Sequence, residues 1–113
     1  MEFTQEQLES MSDLELNMIA SKLLNVLNVT VNHKKLFGAI KREGVTNITT
    51  HIDYCNKWSD CGDLIDELND SMYLYVDADL ASLEDGKSKF TAKHENNKRA
   101  VTIVYILVKQ FNG

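Results

Sequence analysis

The chain has 113 residues, 43% of them hydrophobic and 26% charged, which predicts one soluble globular domain over residues 1–113. This composition excludes disordered, collagen-like and coiled-coil proteins, and the absence of proline excludes a proline-rich ligand or linker. The 17 acidic and 12 basic residues give a net charge of −5, which is the wrong sign for a protein whose whole surface grips nucleic-acid phosphates.

Capping patterns predict helices at the start of the chain. Residues 4–10 have the pattern of a capped turn of helix. Ser12 and Glu15 have the spacing of a second capping box, and apolar residues at helical spacing follow them. The sequence therefore predicts a helix over residues 13–25.

The next part of the chain is predicted to be only partly regular. Apolar and polar residues alternate over residues 26–31, which predicts a half-buried strand. Residues 33–47 mix basic residues with two glycines and predict an irregular loop. A short strand is predicted near residues 48–52.

A second helix and a hairpin are predicted in the following segment. The helix covers residues 59–70, with Trp58 at the head of its buried stripe. Strands are predicted over residues 72–76 and 88–94. Because Asp85–Gly86 is a turn signal, we expect these two strands to pair around it.

The last segment carries two conflicting signals. Six of the eight residues from Val101 to Val108 are β-branched, which favours a strand. Asn97 can cap a helix, however, and the apolar residues fit one wide helical stripe. Because burial can exceed the small helix cost of Ile and Val, a helix is predicted over residues 97–110.

The apolar faces of these elements predict the core. Its members are expected to be Leu16, Ile19, Leu23, Trp58, Ile65, Leu68, Leu74, Phe90, Val104 and Leu107. The two cysteines, Cys55 and Cys61, are expected to be free and structural, with a reactive thiol as the alternative. No secretion signal is recognisable, so we expect a cytoplasmic protein.

Three segments resemble the NinX-like family of small phage-encoded proteins. They are Ser12-Asp13-Leu14-Glu15 followed by Asn17, Tyr54-Cys55-Asn56 before a helix, and Arg99-Ala100 before an apolar helix. The resemblance implies an α+β sandwich, a small antiparallel-rich sheet of about three to five strands with about three helices packed on it. It also implies a phage or prophage protein acting in the host bacterium, and it carries no accepted activity.

The sequence offers no constellation for catalysis, a metal or a cofactor. His33, His51 and His94 are scattered among polar residues and are expected to be solvated. Neither a nucleophile elbow nor a glycine-rich phosphate loop is present. Asp77 and Asp79 begin like a calcium loop, but the ligands and the glycine that should follow are missing. The chain is therefore predicted not to be an enzyme.

The charge distribution is the one unusual feature. Residues 53–85 hold ten acidic residues and one basic residue, a net charge of −9. On the predicted second helix, four carboxylates recur at steps of three and four and are expected on one solvent face. The predicted partner-binding acidic face consists of Asp60, Asp63, Glu67, Asp70, Asp77 and Asp79. Such a row can imitate nucleic-acid phosphates, although a merely solvated helix face explains it as well.

Two functional classes follow from this distribution. The first is a non-catalytic accessory protein that binds a host protein through the acidic face and inhibits a host defence or DNA-processing factor. The alternative is a nucleic-acid- or small-ligand-binding domain that uses the basic side of the chain. That alternative basic surface consists of Lys34, Lys35, Lys41 and Arg42.

Overall fold

A computed structural model describes residues 3–42, 45–68, 73–77, 80–84, 89–93 and 96–112. The helices are α1 (Gln5–Ser10), α2 (Asp13–Leu23), α3 (Trp58–Leu68) and α4 (Asn97–Asn112). The strands are β1 (Leu27–Asn32), β2 (Lys35–Arg42), β3 (Val45–Ile52), β4 (Tyr73–Asp77), β5 (Leu80–Glu84) and β6 (Lys89–Lys93). The α+β class is confirmed.

Both N-terminal helices begin where the capping patterns predict. The Thr4 hydroxyl accepts from the Gln7 amide at 3.1 Å, and the Gln7 side chain accepts from the Thr4 amide at 2.9 Å. The Ser12 hydroxyl accepts from the Glu15 amide at 3.2 Å. The Glu15 carboxylate accepts from the Ser12 hydroxyl rather than from its amide, so the second box is only half formed.

The region predicted as a loop over residues 33–47 is a sheet, and that prediction is wrong. Strands β1, β2 and β3 form a three-stranded antiparallel meander. His33 and Lys34, with φ of 51° and 61°, occupy the left-handed region that a two-residue hairpin turn requires. The sequence does not indicate this turn, because neither residue is typical of it. Glycine or asparagine normally stands there, and neither does here.

The predicted hairpin over residues 72–76 and 88–94 is also wrong in its pairing. The intervening strand β5 pairs with both β4 and β6, which gives a second antiparallel sheet in the order β4-β5-β6. Tyr73 pairs with Glu84, and Leu80 pairs with Lys93. The Asp85–Gly86 turn itself lies outside the described residues.

Helix α4 is the centre of the fold, and its prediction as a helix is confirmed. It contacts the helices α1, α2 and α3 as well as all three strands of the second sheet. Every residue from Arg99 to Ile106 is buried, as expected for a helix that is apolar all round. This burial outweighs the β-branched residues' local preference for a strand. Asn96, one residue before the predicted cap, holds the helix start: its side chain accepts from the Lys98 amide at 3.2 Å.

The predicted core is largely correct, with one clear error. Leu16, Leu68 and Val104 are buried. Four further members, Ile19, Leu23, Ile65 and Leu107, are half-buried. Trp58 is 50% exposed, so its assignment to the core is wrong. The side chains of Leu74 and Phe90 lie outside what the structure describes. Among the described helices, none is long and apolar enough to cross a membrane.

Candidate binding site

The three segments that resemble the phage family meet in one hydrogen-bond network. Asp13 from the start of α2 accepts from Arg99 Nη1 of α4 at 2.6 Å and from Asn56 Nδ2 at 3.1 Å. The other Arg99 terminal nitrogen, Nη2, donates to the carbonyls of Glu9 and Met11 at the end of α1. A single buried guanidinium therefore joins α1, α2 and α4, while Asn56 adds the turn before α3.

Two asparagines complete this network around the same turn. The buried Asn17 donates to Asp53 Oδ1 at 3.0 Å and accepts from the Cys55 amide at 3.3 Å. Asn96 donates to the Cys55 carbonyl at 2.6 Å. Within the described residues, Arg99 Nε is the one buried side-chain nitrogen or oxygen that lacks a hydrogen-bond partner. The network therefore has a structural role, because its polar groups form hydrogen bonds with one another inside the fold. We call these residues, Asp13, Asn17, Asp53, Asn56, Asn96 and Arg99, the structural lock.

Over the described part of α3, the predicted acidic row is not a solvent-exposed face. Asp60 is only 5% exposed, and its Oδ2 accepts from the Asp53 amide at 2.9 Å. It faces inward because it lies four residues before the buried Leu64 on the same helical stripe. Glu67 forms an ion pair with Lys109 and accepts from the Tyr105 hydroxyl at 3.3 Å.

The other members of the predicted acidic face add little to it. Asp63 is half-buried, and on the same helix only Asp66, which was not among the predicted members, has an exposed carboxylate. Asp77 ends β4 with its side chain outside the described part, and Asp70 and Asp79 lie outside the described residues altogether. The even spacing that suggested phosphate mimicry therefore does not correspond to an exposed row on the described part of α3.

The predicted basic surface is divided between the two ends of β2. Lys34 lies in the β1–β2 turn and Lys35 begins the strand, whereas Lys41 and Arg42 end it. Seven residues of extended chain separate the ends by roughly 20 Å. The backbone therefore does not bring the four positions into one cluster.

Several basic residues and an exposed indole are instead linked by successive contacts, because Lys34, Lys35 and His51 line one depression, Lys57 contacts His51 and precedes Trp58, and Lys98 lies over the Trp58 ring. We call this set the basic–aromatic strip: Lys34, Lys35, His51, Lys57, Trp58 and Lys98. Lys57 Nζ lies 3.1 Å from His51 Nδ1. Lys98 Nζ lies 4.9 Å from the centroid of the Trp58 ring, within cation–π range.

A small depression joins the first half of the strip to the structural lock. It encloses about 160 Å³ and is lined by Lys34, Lys35 and His51 together with Asp13, Asn17 and Asp53. This volume is below the several hundred cubic ångströms of a cofactor site. The depression thus fits one side chain or a comparably small group.

The buried thiols and phenols are poor candidates for chemistry. Burial raises the pKa of Cys55 to about 12, and the nearby Asp13 carboxylate adds to the shift. Burial likewise raises the pKa of Cys61 to about 12, and it raises the pKa of Tyr54 and Tyr105 above the ordinary value. At neutral pH all four groups therefore remain protonated. Among the described residues, no group of three His, Cys, Asp or Glu side chains could hold a metal ion.

Sequence reasoning missed Trp58 and Lys57 as surface residues. The turn signal Tyr54-Cys55-Asn56 indicated that a helix begins nearby, but an isolated tryptophan at a helix start is more often buried. Lys57 directly precedes Trp58, but Lys98, which lies over the ring, is 40 residues away, and no local pattern indicates that contact. No protein-family model, curated protein or solved structure matches the chain.

Proposed function

We propose that this chain is a non-catalytic phage or prophage accessory protein that binds a host protein in the bacterial cytoplasm through the basic–aromatic strip. The observation that carries the proposal is the half-exposed Trp58 with Lys98 over its ring. Tryptophan is strongly enriched at the energetic centres of protein interfaces, since it buries a large area with little loss of side-chain entropy. The phage setting rests on the resemblance of the three segments.

The charges of the strip define the chemistry of the partner. Lys34, Lys35 and Lys57 are exposed, and Lys98 is half-exposed over the indole. A complementary surface is acidic and offers an apolar slot for the ring. Opposite charges steer such partners together and make the association sensitive to salt. Inhibition of a host defence or DNA-processing factor is the proposed outcome, with the strip covering that factor's working surface.

The strip replaces the acidic row as the basis of this proposal. Two of the four carboxylates on the predicted helix face, those of Asp60 and Glu67, already accept hydrogen bonds within the fold. Engaging them with a partner would break contacts that stabilise the turn before α3 and the α3–α4 contact. The strip needs no such change, because Trp58 and Lys57 are exposed as the protein stands.

One observation favours nucleic acid as a second candidate partner. Bases of single strands stack on exposed aromatic rings that lie beside cations, and Trp58 with Lys98 has that arrangement. The net charge of −5 opposes this binding. A labelled single-stranded oligonucleotide at low salt tests it: saturable binding that Trp58→Ala abolishes would favour nucleic acid over a protein.

Comparative affinity capture tests the protein-binding proposal. Tagged wild-type protein, Trp58→Ala and Leu27→Ala are used to capture proteins from bacterial lysate. Leu27 is a matched control, since it is also a large exposed apolar residue, 57% exposed, and lies outside the strip. We expect a specific host protein to be captured by the wild type and by Leu27→Ala, and to be lost with Trp58→Ala. Equal capture by all three proteins would contradict the role of the strip.

A further inference from the structure

We propose that the free edge of β1 pairs with β1 of a second copy of this chain, so that the first sheets of two copies join into one antiparallel sheet. β1 pairs with β2 along one edge, and among the described residues no strand pairs with its other edge. In an antiparallel ladder, alternate backbone N–H and C=O groups point away from the neighbouring strand. The free edge of β1 therefore offers hydrogen-bonding groups to a further strand.

The free edge of β1 lacks the charges that usually prevent such pairing. Five of the six β1 residues are exposed, including Leu27 at 57% and Val31 at 47%. Within the described part of the chain, these two belong to a group of only three exposed large hydrophobic residues. No charged residue occurs from position 23 to position 32, although 26% of the whole chain is charged. Because edge strands are commonly protected by charged side chains, β1 is unusually open to association.

The sequence of β1 identifies a second copy as the occupant. Residues 28–32 are Asn-Val-Thr-Val-Asn, which reads the same in both directions around Thr30. In an antiparallel pair with a two-fold axis at Thr30, each of these residues therefore lies opposite an identical residue of the other copy. The two threonines face each other, and Val29 of one copy faces Val31 of the other. Threonine pairs and β-branched apolar pairs both stabilise antiparallel strands.

The same register extends an apolar row that ends at β1. Val31 pairs with Leu36 across β1–β2, and Leu36 pairs with Ile52 across β2–β3, so the three lie on one face of the sheet. Leu36 and Ile52 are each 1% exposed, whereas Val31 is 47% exposed. Val29 of the second copy lies beside Val31 on this face and covers part of it. The pairing thus continues the buried layer across the two-fold axis.

The residues that flank the pairing determine its strength. In this register Lys34 of one copy lies towards Val26 of the other, so like charges do not meet. The β1–β2 register shifts between Leu27 and Thr30, where Asn28 has a φ of 56°. Such a bulge bends an edge strand and shortens the stretch that can pair. The contact area is therefore below the roughly 1,200 Å² of a stable interface, and we expect a Kd on the order of 100 µM.

Sedimentation velocity from about 10 µM to about 1 mM protein tests the pairing. We expect the wild type to change from monomer to dimer over this range. Thr30→Lys places two ammonium groups opposite each other and should weaken dimerisation at least about tenfold. Thr49→Lys, the matched control, adds the same charge at an exposed position on the same sheet face, but on the edge strand β3, and should dimerise normally. A monomeric wild type, or unchanged dimerisation in Thr30→Lys, would overturn the inference.

A charge-swap pair separates loss of pairing from loss of folding. Thr30→Glu alone should dimerise as weakly as Thr30→Lys. An equimolar mixture of the two variants should form a heterodimer, because opposite charges then face each other across the axis. Failure of the mixture to associate would overturn the register centred on Thr30.

The occupant of the edge is tested separately from the proposed function, because Thr30 lies outside the basic–aromatic strip. Suppose that the wild type is monomeric and that a captured host protein is lost with Thr30→Lys but retained with Trp58→Ala. That result would assign the edge to a strand of another protein and overturn the second copy as its occupant. Dimerisation with the expected pattern would support the inference whether or not a host protein is captured.

Discussion

Arg99→Ala is expected to destabilise the protein by about 3 kcal/mol, because one guanidinium joins three helices. Its two hydrogen bonds to carbonyls at the end of α1 contribute about 1 kcal/mol each. The Asp13 side chain is 43% exposed, so water replaces part of that ion pair and its share is discounted to about 1 kcal/mol. Losing the packing of the buried Arg99 stem adds about 1 kcal/mol to the destabilisation. The substitution also removes Arg99 Nε, which is buried without a hydrogen-bond partner, and this gain offsets about 1 kcal/mol of the loss.

Urea unfolding followed by circular dichroism measures this loss. With a slope of about 1.5 kcal/mol per molar urea, the midpoint should fall by about 2 M. Arg99→Lys is the control: its single ammonium keeps the charge but cannot reach three separate acceptors, so we expect a loss of about 1–2 kcal/mol. A loss below about 1 kcal/mol in Arg99→Ala, or wild-type stability in Arg99→Lys, would refute the stabilising role of the Arg99 hydrogen bonds.

The remaining predictions concern packing, burial and exposure. Gly38→Ala should destabilise the protein by about 1–3 kcal/mol, because the added Cβ would lie 2.6 Å from Val26 Cγ1. Gly62→Ala should stabilise α3 by about 0.5–1 kcal/mol, because no atom lies within 4 Å of the added Cβ. The urea unfolding midpoints of the two variants test both expectations. Cys55 and Cys61 should resist thiol reagents at pH 8 until the protein unfolds, and rapid native labelling would contradict their burial. Because burial raises both thiol pKa values from 9.0 to about 12, the thiols stabilise the fold fully below pH 9, and the free energy of unfolding should fall between pH 9 and 12. Trp58 should emit near the wavelength of a solvated indole and be quenched by acrylamide; a blue-shifted, unquenched emission would restore it to the core.

The helices were predictable because their signals are local. The Ser12 cap and the apolar spacing behind it lie within a few turns of chain, and α2 begins where they indicate. Helix α4 required a judgement between β-branched propensity and a wide apolar stripe. The segment is a helix because it is buried on every side. That burial comes from tertiary packing, which the apolar stripe in the sequence indicates only in part.

The first sheet was missed for a specific physical reason. Hairpin prediction depends on residues that tolerate positive φ, and here His33 and Lys34 adopt it instead. Without a recognised turn, the alternation in β2 was obscured by Gly38 and by the basic residues at both ends of the strand.

The candidate site could be predicted only in part. Lys34 and Lys35 were singled out from the sequence, but His51, which lines the same depression, comes from the end of β3, and Lys57, which contacts His51, comes from the turn after it. Asp60 was assigned to solvent because helical spacing alone does not say which of two adjacent stripes faces the core. Its hydrogen bond to the Asp53 amide depends on a turn that the spacing does not describe.

The affinity of the captured partner, measured at several salt concentrations for two charge variants, tests directly whether the basic–aromatic strip is the binding surface. Lys57→Gln removes a cation from the strip, and Asp66→Asn removes an exposed carboxylate from α3. We expect affinity to fall as salt rises. Lys57→Gln should weaken binding and flatten the salt dependence, whereas Asp66→Asn should leave binding unchanged or slightly tighter. Weaker binding in Asp66→Asn together with undiminished binding in Lys57→Gln would contradict this expectation and return the working surface to the acidic side.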